Sequence, residues 1–386
     1  MKKKVGIVTW YKNGNYGGSL QAYALAKVVS QLGYEVEFIN YDEKTKNKFL
    51  FWLYRKIRLA AALILFPKMY LSKIKIFKFV KYSLNESSTI SRWDELIEYS
   101  QKFDAVICGS DQIWNSRNGI IPFYFLDFVQ TEKRIAYAPS IGLNYIKEEY
   151  LTEFKKAIEK IKFLSIREDK GAQIIKEICN INARVVLDPV LLLSSEEWQK
   201  LAEKSTLSKQ KTGYIFCYFL RKDTKKINFV ENLSRITNLP IKFVTCKKFH
   251  WKGLSQIGAS VEDFLGLISN SVFFITDSFH GACFGITFQK KTGVFYRFEN
   301  QDPINQNSRI DNLISTLKIS NIIISDFTNI DKFLGDKIDF YQVNEKIKSL
   351  RMESIGYLEN SLASVCNHSD YRYQEELSHF PQKPAF

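Results

Sequence analysis

Two β-rich runs bracket a single amphipathic helix within the first 41 residues, and this order constrains the fold more than any other stretch. Val5-Gly6-Ile7-Val8-Thr9-Trp10 and Val36–Tyr41 carry side chains suited to a pleated strand. Between them lie a turn-prone loop, Asn13-Gly14-Asn15-Tyr16-Gly17-Gly18, and a segment from Ser19 in which Leu20, Ala24, Val28 and Leu32 recur every fourth residue. That spacing predicts one buried helix face, capped by Ser19 and ended near Gly33. Strands joined through a helix pair in parallel, so the chain is committed to an α/β fold.

The alternation continues. Strands are expected at Ala105–Cys108, Arg134–Ala138, Phe163–Ile166 and Arg184–Leu187, with helices at Lys147–Lys160 and Gly171–Cys179. After a polar stretch a second series begins, with strands at Tyr214–Phe219, Ile241–Thr245, Val272–Thr276 and Gly293–Arg297. Helices fall at Lys226–Thr237, at Val261–Ser269 and after His280. At roughly 150 residues per domain, 386 residues suit two domains. The expected division is a Rossmann-like domain over 1–193 with a basic amphipathic insertion near 44–82, a linker at 194–211, and a second Rossmann-like domain over 212–340. Residues 341–386 form a C-terminal helix, read over Glu345–Ala363, and a loosely ordered tail. Ligands of such sheets bind beyond the carboxyl ends of the strands, so chemistry belongs in a cleft between the halves.

Charge is concentrated. Of a net +14, eleven positive charges lie between Lys44 and Lys81, where no acidic residue occurs. Basic heads interleaved with Phe49–Tyr54, Leu59–Phe66 and Ile74–Phe79 suit an interfacial helix on anionic lipid. A helix pair packed on its own domain with solvated charges suits the same pattern, and the sequence leaves both open. Nucleic acid is not expected, because no nucleic-acid module accompanies the patch. No apolar run reaches the ~18 residues of a spanning helix, and the lysine-led start lacks the apolar core and cleavage site of a signal peptide. The six cysteines are widely spaced and form neither a metal clip nor a disulfide framework. Together these point to a reducing cytoplasm, with peripheral contact to the inner membrane face as the variant that segment 44–81 suggests.

Four motifs sit where strands end. Loop 13–18 offers backbone N–H groups at a helix mouth without matching a dinucleotide fingerprint or a P-loop. Gly109-Ser110-Asp111-Gln112-Ile113-Trp114-Asn115 places hydrogen-bonding side chains that suit sugar hydroxyls, and Trp114 could stack on a pyranose; an Asx turn explains the motif equally. Arg167 of Arg167-Glu168 offers a planar fork for carboxylate or phosphate, or a salt bridge to its neighbour. In Thr276-Asp277-Ser278-Phe279-His280-Gly281 a strand runs into a cap and a histidine in the first turn of a helix. The helix terminus disfavours imidazolium by ~0.3–1 kcal/mol, whereas each charge of an anion about 4 Å away is worth up to ~4 kcal/mol in its favour.

These segments, with Asn15-Tyr16-Gly17-Gly18-Ser19-Leu20-Gln21, Tyr137-Ala138-Pro139-Ser140-Ile141-Gly142 and Asp188-Pro189, stand in the order seen in the polysaccharide pyruvyl transferase family, which the chain resembles over roughly 5–315. The resemblance implies two Rossmann-like domains facing a cleft, of GT-B type. It implies transfer of a pyruvyl group from phosphoenolpyruvate to a sugar diol of a glycan, which could be lipid-linked, with no metal or cofactor beyond the donor. Arg167 then matches the donor arginine and His280 the acid, while Asp111 is placed on an acceptor hydroxyl. Ser278 and Gly281 join the donor site; many members carry an arginine where Ser278 stands, so Arg297 or Arg309, and after them Lys290 or Lys291, must supply that charge. Asn15, Tyr16, Gly17, Gly18, Gln21, Ser110, Gln112, Trp114 and Ser140 fall to the acceptor or the cleft. A GT-B-type glycosyltransferase with a nucleotide-sugar donor is the alternative.

Overall fold

Short β-rich runs pair in parallel to give two sheets. The computed structural model describes residues 2–43, 64–207, 213–299, 301–302 and 304–378, except the side chains of Asn118 and of 367–378. The first series is β1 (Lys4–Val8), α1 (Tyr16–Gln31), β2 (Glu35–Phe38), α2 (Pro67–Ser83), α3 (Trp93–Ser100) and β3 (Ala105–Cys108). It continues with β4 (Arg134–Ala136), α4 (Leu151–Glu159), β5 (Phe163–Ile166), α5 (Asp169–Cys179), β6 (Arg184–Val185) and α6 (Ser195–Ala202). The second series is β7 (Ile215–Tyr218), α7 (Thr224–Thr237), β8 (Ile241–Val244), α8 (Val261–Ser269), β9 (Phe273–Thr276), α9 (Phe279–Thr287) and β10 (Lys291–Val294). Helices α10 (Ser308–Leu317), α11 (Ile330–Gly335) and α12 (Phe340–Ser378) close the chain. Among the described residues no helix is long and apolar enough to cross a membrane.

The strand orders are β2-β1-β3-β4-β5-β6 and β10-β9-β7-β8, every pair parallel. Strand order reverses between β1 and β3 in the first sheet and between β7 and β9 in the second. A crevice opens at such a switch point because the connections leave it in opposite directions. The residues beyond β1 and β3 are Thr9 and Gly109; those beyond β7 and β9 are Phe219 and Asp277.

Helix α1 starts at Tyr16, not at Ser19, because Asn15 is its cap: the Asn15 side chain accepts from Gly17 N. Both glycines of the turn-prone loop are therefore helical. Within the stretch expected to be a linker, α6 forms on a capping box between Ser194 and Glu197 and buries Trp198, Leu201 and Ala202. Helix α12 runs well beyond Ala363, since no glycine or proline stands between Gly356 and Pro381 to stop it. It lies back along the first sheet: Arg351 donates to the Leu191 and Leu193 carbonyls, and Tyr357 Oη donates to the Ala136 carbonyl. One apolar cluster joins both sheets, from Val5 and Ile107 through Leu191 and Trp198 to Phe216 and Phe284. Of the basic insertion, residues 44–63 lie outside the described residues; α2 contains the rest. All six cysteines are buried free thiols.

Candidate active site

The two switch points face each other, and four segments meet there. From the first sheet come Ser110-Asp111 after β3, Arg167-Glu168 after β5 and Asp188 after β6; from the second comes Ser278-Phe279-His280 at the start of α9. Ser278 caps α9 by accepting from Gly281 N at 3.3 Å, which orients His280 in the first turn. A Cβ at Gly281 would lie 2.6 Å from Thr276 Oγ1, so glycine is needed for α9 to start so close to β9.

Asp188 is the hub. Its Oδ2 accepts from Arg167 Nη1 at 2.7 Å and from Ser110 Oγ at 2.9 Å, and lies 3.4 Å from His280 Nε2. Its Oδ1 accepts from Val190 N at 3.0 Å. Burial alone would raise the Asp188 carboxyl; the positive charge of His280 and Arg167 overrides it and holds the group well below the usual carboxylate range. Glu168 is equally occupied, its Oε1 accepting from Ser140 Oγ at 2.8 Å and from Ile141 N and Gly142 N. Arg167 lies between the two carboxylates, and its Nε and Nη2, fully buried, have no hydrogen-bond partner in the structure.

Arg309, on the first turn of α10, differs from Arg167. It is 5% exposed, and its hydrogen bonds go to Gln306 O and Oε1 and, with the Gln112 amide oxygen turned toward it, to Gln112 at 2.8 Å. Among the described residues no carboxylate pairs with it. Burial first, then the neighbouring Arg167 and Arg297 charges, lower its guanidinium to about 9. Phe279 lies between the two arginines, its ring centre 4.6 Å from the Arg167 guanidinium and 5.9 Å from that of Arg309. A narrow cleft open to solvent is lined by Arg167, Asp188, Phe279 and Arg309, with Leu313, Leu317 and Leu350 among its apolar lining. Arg309, which no carboxylate neutralises among the described residues, can with Arg167 across the same ring hold a small polyanion.

The expected residues fall into three groups. His280, Arg167, Ser110, Ser140, Gln112, Ser278 and Arg309 converge, with Asp111 beside them in a left-handed conformation at φ 73°. Gly17 joins them from α1: a Cβ there would overlap Nδ1 of His280. Asn15, Gly18 and Gln21 build the loop rather than face the cleft, Asn15 Oδ1 also accepting from Tyr218 Oη and Gln21 Nε2 donating to Thr9 Oγ1.

Two aromatic expectations are corrected. Trp114 is 1% exposed, stacks on Phe125 and donates to the Tyr124 carbonyl, so no sugar can reach it. Tyr16 stacks on Phe264 and donates to the Ala259 carbonyl, joining the two halves instead of lining the cleft. Arg297 spends Nε and Nη2 on the Asp277 carbonyl. Lys290 and Lys291 stand at the amino end of β10, on the wrong edge of the sheet. The central role of Asp188 was not anticipated. Its signal was a carboxylate between a strand and Pro189, visible locally but without its side-chain partners, the nearest of which is 21 residues away.

The family model described as polysaccharide pyruvyl transferase matches residues 15–297. Comparison with curated proteins gives no match. Among solved structures, Arabidopsis thaliana UGT89C1 complexed with UDP-L-rhamnose is similar at 10% identity and a TM-score of 0.54, over 95% of this chain and 100% of that one. The UDP-GlcNAc 2-epimerase from Methanocaldococcus jannaschii is similar at 11% identity and a TM-score of 0.50, over 88% and 93%. At these identities the likeness concerns the fold, a GT-B arrangement of two parallel sheets.

Proposed function

Because the chain belongs to the polysaccharide pyruvyl transferase family, we propose that its arginine cluster binds phosphoenolpyruvate and that the enzyme passes the pyruvyl group to a sugar diol of a glycan acceptor. The observation that carries this reading is Arg309, a buried guanidinium without a carboxylate partner among the described residues, which lines one cleft with Arg167 and with Asp188, the carboxylate facing His280. A triply charged enol phosphate supplies what that charge lacks: at about 4 Å each unit pair is worth ~4 kcal/mol at an effective dielectric of 20. In this reading Arg309 supplies the charge that many family members provide with an arginine where this chain has Ser278.

The chemistry follows from these positions. His280 gives a proton to the methylene carbon of the donor, which becomes a methyl group, and positive character develops at the adjacent carbon. A first acceptor hydroxyl adds there and its proton returns to His280. A second hydroxyl then attacks the same carbon as its bond to phosphate oxygen breaks, and the second proton leaves with phosphate. Asp188 holds His280 and Arg167 in register, and Asp111 receives or orients an acceptor hydroxyl.

Incubation with phosphoenolpyruvate and a galactose-type acceptor should release phosphate and yield an acid-labile ketal, and phosphoenolpyruvate alone should raise Tm. Stabilisation by UDP-sugars but not by phosphoenolpyruvate would replace this reading with glycosyl transfer, which the fold accommodates equally.

A further inference from the structure

A second cleft, of about 430 Å3, lies over the carboxyl ends of β1 and β2 and is lined by Trp10, Tyr41 and Tyr124 together with Lys12, Asn13 and Asn40. We propose that it is the subsite for the sugar ring of the acceptor. Trp10, Tyr41 and Tyr124 are each part-exposed there, although an aromatic side chain with no ligand gains by burying its ring. Trp10 and Tyr124 meet at 6.1 Å with their ring planes nearly perpendicular. Aromatic faces beside amide side chains and an ammonium match the two characters of a pyranose, an apolar C–H face and a rim of hydroxyls. Its lining approaches the segment after β3. Thr9 on its floor donates to the Ser110 carbonyl at 2.6 Å, and the Tyr124 phenol is raised by burial and by the nearby Asp111 carboxylate. A ring held here presents a hydroxyl pair toward Asp111, a role that buried Trp114 cannot fill.

This subsite rests on the pyruvyl transfer reading, and two readouts separate their failures. In phosphate-release assays with methyl β-D-galactopyranoside as acceptor, Trp10→Ala and Tyr41→Ala should each raise the acceptor KM about tenfold and leave the phosphoenolpyruvate KM unchanged. In saturation-transfer NMR with the same glycoside and no donor, the wild-type signal should disappear in Trp10→Ala, whether or not phosphoenolpyruvate is the donor. An unchanged acceptor KM, a parallel rise in donor KM, or no Trp10-dependent NMR signal would overturn the subsite.

A different observation carries a second inference. Helix α2 buries Met69, Ser72, Ile76, Phe79 and Val80, yet its outer side exposes Ile74 by 56%, Phe77 by 44% and Tyr82 by 73%, preceded by Ile64 and Leu65 at 79% and 60%. Ile74, Phe77, Lys78 and Lys81 recur at helical spacing on that side, and no acidic residue occurs from 64 to 83. Lys75 is turned inward to the Gly258 carbonyl, while Lys68, Lys78 and Lys81 point out. We infer that this face docks on an anionic bilayer. A self-packed helix would have hidden Ile74 and Phe77, and a second copy would meet the same positive charge. The Lys73 side chain lies against Gly14 at the loop before α1, so docking brings the cleft rim to the lipid. The full chain should float with vesicles of phosphatidylcholine containing about 30 mol% phosphatidylglycerol, and less so as salt rises. An Ile74→Glu/Phe77→Glu variant should lose this binding. No flotation, equal flotation with phosphatidylcholine alone, or an unaffected variant would overturn the inference. So would binding of duplex DNA in preference to the vesicles.

Discussion

At the scale of single residues, the site sets two buried charges against each other, and their titration differs in sign. Asp188 is held below its ordinary value, so its contribution to stability is complete above the unfolded carboxyl's value near 4 and is lost as pH falls from there toward the folded one. Asp188→Asn strands Arg167 and should destabilise the protein by ~3 kcal/mol at neutral pH, the difference shrinking as pH drops below about 4. Urea unfolding across that pH range checks this, and a difference independent of pH would contradict it. Arg309 is the reverse case. Its guanidinium is lowered to about 9, so below that pH the ligand-free protein carries an unfavourable charge, and stability rises with pH above it. Arg309→Met should therefore raise the Tm of the ligand-free protein by a few degrees while abolishing stabilisation by phosphoenolpyruvate. For the same reason, donor affinity in the wild type should weaken as pH passes about 9. A mutant that loses Tm and keeps the donor shift would remove Arg309 from the donor site.

At the scale of elements, where a helix begins matters more than that it exists. The β-rich runs and four-residue apolar spacing located the strands and helices well, because both signals are local. The start of α1 was misplaced because Tyr16-Gly17-Gly18 is a poor helical opening by propensity. It is tolerated because the His280 ring, 263 positions away in the chain, packs where a side chain would be. No window of sequence contains that contact. The same limit governs Trp114, since an aromatic residue after a strand reads alike as a sugar platform or as core until its neighbours are known. Two identical substitutions in helices should separate these effects. Gly17→Ala should lower kcat about a hundredfold by pushing the imidazole from its place. Gly356→Ala, within α12 with nothing within 4 Å of the added methyl, should stabilise the protein by ~0.5–1 kcal/mol and leave kcat unchanged. Thermal melts and initial rates on both variants check the pair, and equal effects would show that Gly17 is merely a helix position.

At the scale of the whole molecule, the two halves that the sequence shows as successive series are tied in a way that it does not show. Chain order separates them, but the apolar cluster runs through both sheets, and α12 returns from the second half to the first. Arg351 is largely buried at that return and spends two donors on carbonyls near the end of the first half, while Ser354 Oγ accepts from Leu187 N next to Asp188. A strap so placed couples the integrity of the active site to the fold of the opposite half, since the segment that carries Asp188 is held from both sides. Domains joined by a flexible linker unfold one at a time; domains that share a core cannot. Calorimetry of the ligand-free protein should therefore give one transition. Removing the tie with Arg351→Ala should lower it by several degrees without splitting it, because the shared cluster remains. Two resolved transitions in the wild type would mean that the apolar continuity between the sheets contributes little, and that the cleft is held by its ligand rather than by the fold.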